Sequence, residues 1–250
     1  MDERTDPQME LMFSFYERLH RKAPGSESTT RKALSLLAGI PANPEVVDFG
    51  CGSGAAAIVL AQAGAKVTAV DIHQPFLDQL EARAANAGVT GRITTVCADM
   101  AEPPFPDDSF DLVWSEGAVY LVGFEEGLKR WRRLLRTGGH VAVTEATWLC
   151  ERPPRKAIEF WMAEYPAITT VEGNLAMVKS AGFEPVAQFP LPKEDWSNYY
   201  EPLIDQLGLF RSENEGNADA KAFADDLQRE INLWEECGDS YGYVFYLARA

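Results

Sequence analysis

Four acidic residues follow or end short β-branched runs: Asp48, Asp71, Asp99 and Glu116. The first lies in Val46-Val47-Asp48-Phe49-Gly50-Cys51-Gly52-Ser53-Gly54, which reads as a strand, a glycine turn and a helix start. Glycine serves where backbone turns with positive φ, or approaches a ligand too closely for a side chain. Through Ala55 the run also satisfies Gly-x-Gly-x-x-Ala, a dinucleotide-binding pattern. A carboxylate two positions before the first glycine opposes that reading. It repels a pyrophosphate and favours a ligand carrying an amino group or a sulfonium. Asp71, ending the next strand, is placed to accept hydrogen bonds from two ribose hydroxyls. Glu116 and Glu145 are candidate bases for an acceptor that must lose a proton, and Glu116, in Trp114-Ser115-Glu116-Gly117, is preferred. Tyr16 and His20 are further catalytic candidates if the amino-terminal helix folds over the same pocket.

These residues need a scaffold that gathers strand ends. Met9, Leu11, Met12, Phe15, Tyr16 and Leu19 recur at helical spacing, Pro24-Gly25 breaks that helix, and Ser26 or Ser28 caps the next. From Val46 the pattern alternates. Strands are predicted at 46–49, 66–70, 93–98, 110–115 and 140–145, with helices at 53–63, 75–87 and 124–135. Helices near 156–164 and 173–181, a strand near 185–189 and a last strand at 243–248 complete the chain. Short apolar strands separated by helices imply a parallel sheet covered on both faces. Right-handed crossovers then set the strands' carboxyl ends along one edge, where ligands bind beside the point of reversed strand order. Asp48–Gly54, Asp71, Asp99 and Ser115–Gly117 should converge there.

Composition narrows the class. Apolar residues make up 46% and charged residues 24% of 250, which excludes disordered and fibrous chains. A net charge of −15 makes nucleic acid an unfavourable partner and keeps the chain off anionic membranes. Residues 193–240 hold thirteen acids against four bases, so most of that excess sits in one segment. No apolar run approaches the ~20 residues that cross a bilayer. The first residues lack the layout of a signal peptide. Cys51, Cys97, Cys150 and Cys237 have no paired spacing and read as buried, reduced side chains, with no metal site. A cytoplasmic location is therefore expected.

Downstream lie Cys97-Ala98-Asp99-Met100, then Phe105 and Phe110-Asp111-Leu112-Val113, then Leu134-Leu135-Arg136-Thr137-Gly138-Gly139. In this order and spacing the chain resembles the class I S-adenosylmethionine-dependent methyltransferases of the single-domain, small-molecule type. The resemblance covers about residues 45 to 150, and the final two strands look like that family's terminal hairpin. It implies a doubly wound, mostly parallel seven-stranded α/β sheet with an antiparallel last strand. One domain over 1–250 is expected: a helical prologue (1–40), a cofactor-binding core (45–150) and an acidic helical insertion (193–240).

By that resemblance Asp48 with Gly50, Gly52 and Gly54 would hold the methionine part, and Asp71 the ribose hydroxyls. Ile72 would pack on adenine, Asp99 and Met100 would meet its edge, and Ser115 and Glu116 would lie beside the methyl group. The implied reaction moves a methyl from S-adenosylmethionine to a small molecule by in-line displacement, leaving S-adenosylhomocysteine. A nicotinamide oxidoreductase and a non-catalytic cofactor-binding protein are the alternatives. Trp148, Trp161, Trp196, Tyr199, Tyr200 and Tyr241 wall an acceptor pocket, cage a cation, or simply pack between sheet and insertion. Acceptor identity and oligomeric state are not encoded in any motif.

Overall fold

The computed structural model describes residues 7–250. Helices α1 (Pro7–Tyr16) and α2 (Glu27–Ser35) come first, and Ser26 caps α2 by accepting the Thr29 amide at 3.2 Å. Then follow β1 (Glu45–Phe49), α3 (Ala55–Gln62), β2 (Lys66–Asp71), α4 (Gln74–Asn86), β3 (Ile93–Cys97), β4 (Phe110–Ser115), α5 (Phe124–Arg132) and β5 (Leu135–Trp148). The remainder is α6 (Arg155–Glu164), β6 (Thr169–Thr170), α7 (Val171–Ser180), β7 (Glu184–Pro190), α8 (Lys193–Glu213), α9 (Ala218–Cys237) and β8 (Tyr241–Arg249).

The strands form one sheet in the order β3-β2-β1-β4-β5-β8-β7, with β6 paired to β5. All pairings are parallel except those of β8, which runs antiparallel to β5 and β7. Eight strands stand where seven are expected. The extra one is β6, whose two residues are too short to leave a periodic signal. β5 also begins at Leu135 instead of His140, because Leu135 pairs with Phe110 across a register shift that absorbs the glycine turn. The order reverses between β1 and β4, so Asp48, in register with Trp114, sits at the switch point.

Side chains alternate between the faces. Val46 packs with Leu60, Leu77, Leu80 and Trp114 under α3 and α4, while Val47 and Phe49 pack with Leu128 and Trp131 under α5. Asp48 therefore points into the α3 face, where an apolar residue would ordinarily sit. A third cluster joins Phe15 and Leu19 to Tyr199, Tyr200, Leu203, Phe210, Leu227 and Ile231, so the prologue and the α8–α9 pair share one core. Met9 stays 43% exposed and does not belong to that stripe. Cys51 and Cys237 are buried as expected, but Cys97 and Cys150 are exposed. Among the described residues no helix is long and apolar enough to cross a membrane.

Gly54, at φ +82°, is the N-cap of α3, and a Cβ there would collide with Leu80. Gly54→Ala is expected to cost about 2–4 kcal/mol through left-handed strain plus overpacking. Calorimetry should then show Tm lowered by roughly 5–10 °C. An unchanged Tm would mean that α3 and α4 shift apart without cost.

Candidate active site

Asp48 is only 1% exposed, and its Oδ2 has no hydrogen-bond partner among the described residues. Burial, then the nearby Glu116 and Asp71, push its carboxyl well above the usual range, while the Ala57 amide in the first turn of α3 opposes the shift. Gly50, Gly52 and Gly54 carry φ of +66°, +52° and +82°, so the loop's course is closed to most side chains. Asp71 fastens this loop to the next strand end. Its Oδ2 accepts the Gly52 amide at 2.8 Å and its Oδ1 the His73 amide at 2.9 Å. Burial raises the Asp71 carboxyl, and those two amides counter it.

The chain between α1 and α2 crosses the glycine loop. A cavity of about 70 Å³ lies between them, bounded by His20–Pro24, Asp48, Gly50–Ser53, Glu116 and Gly117. Arg21 donates to Glu116 at 3.1 Å, and its buried Nε has no partner among the described residues. Glu116 also accepts Thr30 at 2.7 Å and the Trp114 indole at 3.0 Å. With its side chain 7% exposed and both oxygens engaged, Glu116 holds the crossing segment in place. Gly25 is fixed to the Asp195 carbonyl at 3.2 Å, which ties the segment to α8.

Of the other catalytic candidates, His20 borders this cavity and Tyr16 does not. The His20 carbonyl accepts Arg83 at 3.1 Å and Ser53 at 3.2 Å, while its exposed ring meets Arg83 at 2.7 Å. Partial burial, then Arg83, lower its pKa. A second cavity, about 430 Å³, opens on that side between His20, Ala55, Arg83 and Tyr199. Tyr16 lies 3.1 Å from the Tyr199 hydroxyl, and burial raises its pKa. Lys22 donates to the Tyr16 and Leu19 carbonyls at 2.7 and 2.5 Å, and burial lowers it to about 8.

Along the outer edge Ile72 is 61% exposed directly after Asp71. Asp99 accepts the Ala101 amide at 2.8 Å, and the Met100 carbonyl accepts the Trp131 indole at 2.9 Å. Ser115 is fully buried and donates to the Phe49 carbonyl at 2.9 Å, so its hydroxyl ties β4 to β1. His73, at the N-cap of α4, stacks on Phe13 at 4.0 Å and meets Glu17 at 2.7 Å.

A family model described as "Methyltransferase domain" matches residues 47–143, the stretch holding β1 to β5. The 27-O-demethylrifamycin SV methyltransferase of Amycolatopsis mediterranei is 29% identical over 89% of this chain and 84% of its own length. The chain belongs to the class I S-adenosylmethionine-dependent methyltransferases. A sterol 24-C-methyltransferase of Neurospora crassa is 30% identical over 72% of this methyltransferase, which spans half of that relative. A Geobacter sulfurreducens methyltransferase, solved with S-adenosylhomocysteine, has the same fold: TM-score 0.82 and 20% identity over 96% of this chain and 97% of that one. The nicotinamide alternative finds no support in these likenesses.

The methyltransferase's cofactor is S-adenosylmethionine. The residues present fit it: an orphaned buried carboxylate oxygen and an orphaned buried guanidinium nitrogen belong to residues around one small cavity, complementary to an amino acid's two charges. Asp48 is legible in the motif. Arg21 is not, because only the fold of the prologue over the glycine loop brings it there. Glu145, the second base named from sequence, does not line this cavity; it lies within β5, which runs on to Trp148, and is buried with Oε2 unpartnered among the described residues.

Proposed function

We propose that this enzyme transfers the methyl group of S-adenosylmethionine to a small-molecule acceptor, with Asp48 and Arg21 reading the methionine end. The unpartnered Asp48 Oδ2 carries this reading. An unpaired buried acceptor is costly, and a ligand ammonium ion satisfies it. Arg21 Nε is suited to the carboxylate of the same group, and the Gly50–Gly54 backbone leaves room for it. Asp71 keeps lone pairs free for two ribose hydroxyls beyond the two amides it holds. Ile72 offers an apolar surface to adenine, with Asp99 and Met100 at its edge.

The bound cofactor supplies a methyl group already activated on a sulfonium. The protein's part is alignment and exclusion of water. Glu116 serves as a latch: opening the Arg21–Glu116 pair frees the segment that covers the glycine loop. Ser115 acts through its backbone, and Tyr16 and His20 belong to the covering layer. Relatives named for rifamycin and sterol methylation support a small-molecule acceptor. Unpaired cysteines agree with a reducing cytoplasm.

Asp48→Asn keeps the shape and removes the anion. Calorimetry with S-adenosylhomocysteine should show affinity lowered at least tenfold, while Tm holds or rises because a buried charge is gone. Wild-type affinity in that variant would overturn the Asp48 assignment. A labelled-methyl assay over varied acceptors separates the enzyme from a cofactor-binding protein without transfer.

A further inference from the structure

The cavity beside Asp48 holds about 70 Å³, enough for an amino acid's charged groups and little more. A site for a whole small-molecule ligand takes roughly 300 Å³ or more. What narrows it is the chain itself. A Cβ at Gly117 would collide with the Ala23 methyl, and one at Gly52 would stand 3.0 Å from Lys22 Cγ. Bare backbone at these two glycines, suited to the close approach of a ligand, is thus covered by two side chains of the crossing segment. From Gly52 the Lys22 side chain reaches α4, where its ammonium sits over the Phe76 ring at 4.6 Å. Asp71, whose Oδ2 holds the Gly52 amide, is close enough to act on that ammonium's charge.

Polar ties hold the segment. The His20 carbonyl accepts Ser53 and Arg83, Arg21 donates to Glu116, and the Gly25 amide donates to the Asp195 carbonyl of α8. Lys22 and Ala23 themselves are half-buried and belong to none of the apolar clusters. Hydrogen bonds exchange for bonds to water with little net loss, so this stretch can lift while the sheet stays intact. A ligand for the cofactor's carboxylate would aim its charge into the cavity. The Lys22 ammonium is instead engaged by the Tyr16 and Leu19 carbonyls of its own prologue, and leaves with them.

Resting on the cofactor reading above, we infer that Lys22 and Ala23 compete with S-adenosylmethionine for one berth, and that residues 20–25 are a built-in plug. Closed, the plug covers Gly52 and Gly117. Open, it clears the way from Asp48 to Asp71. Asp48 and Arg21 border the small cavity with the plug closed, so they are reached first. Arg21 then exchanges Glu116 for the carboxylate, and Lys22 and Ala23 withdraw ahead of the ribose. Apparent affinity equals the intrinsic affinity multiplied by the open fraction. A change that loosens the plug without removing a cofactor contact therefore tightens binding.

The test is calorimetry and stopped-flow fluorescence of S-adenosylhomocysteine binding to the full chain. This probe carries no sulfonium, so repulsion between that charge and Lys22 does not enter. Lys22→Ala removes the stem and both carbonyl ties, and should tighten binding at least threefold. Lys22→Met keeps the stem and loses the ties, and should fall between Lys22→Ala and wild type. The wild-type association rate should level off with ligand concentration at the opening rate of the plug, and Lys22→Ala should raise that plateau. A folded Lys22→Ala that binds no more tightly than wild type overturns the inference, and weaker binding would make Lys22 a cofactor ligand instead. Equal effects of alanine and methionine would assign the change to charge and overturn the plug, as would a wild-type rate without a plateau. Should the melting curve show that Lys22→Ala does not fold, Ala23→Gly, which removes the methyl at Gly117, carries the same expectation and the same refutation. Wild-type enzyme that binds no S-adenosylhomocysteine would overturn the cofactor reading and the plug with it, whereas the other adverse results strike the plug alone.

Discussion

Asp71→Ala is expected to weaken S-adenosylhomocysteine binding by about 100-fold. Two losses combine. The first is the acceptor that a buried pair of hydroxyls requires, and bonds to a charged group contribute about 1.5–3 kcal/mol each. The second is the fastening of the glycine loop, since Asp71 Oδ2 holds the Gly52 amide and Oδ1 holds the His73 amide. Both amides are left to find water, and the loop must be reordered when ligand binds. About 3 kcal/mol of combined loss corresponds to slightly more than a hundredfold in Kd. Asp71→Asn separates the two parts, because its amide oxygen still accepts one backbone donor. It should fall between wild type and Asp71→Ala in calorimetry. Near-normal affinity in both variants would remove Asp71 from the site.

What the sequence made legible follows a physical divide. Strands β1, β2 and β4 were readable because buried parallel strands are written as unbroken β-branched runs, and their carboxyl ends carried the acids. Asp48 and Asp71 could be placed at one edge because topology alone aligns parallel strand ends. Glu116 could be located but its partners could not. Whether a carboxylate acts as a base or a tie depends on Arg21 and Thr30, 95 and 86 positions away, and no local pattern encodes such meetings. Ser115 shows the same limit, since its hydroxyl turns back to β1. β6 and the early start of β5 escaped because ladder pairing, not periodicity, creates them. The acidic insertion was visible as charge, yet its inner face is aromatic and packs against Phe15 and Leu19 of the prologue.

Glu145→Gln is expected to make the ligand-free enzyme more stable at neutral pH, by about 3 kcal/mol at pH 7. The carboxyl ionises at an ordinary value of 4.5 in the unfolded chain and at about 8 in the folded one. Between those values the folded protein keeps a proton that the unfolded chain has released. Raising the pH through this window therefore lowers stability, and the loss levels off above about 8. Glutamine carries no such proton, so its contribution is flat with pH. The variant and wild type should melt together near pH 4 and diverge by roughly 6–12 °C at pH 7. Asp48 and Glu230, also raised by burial, keep both proteins pH-dependent, so the difference between the two curves isolates Glu145. A difference that does not change with pH would show that packing, not ionisation, separates them. A side chain whose removal stabilises the fold is not kept for folding, because a buried acid with one oxygen unpartnered costs the native state more than it returns.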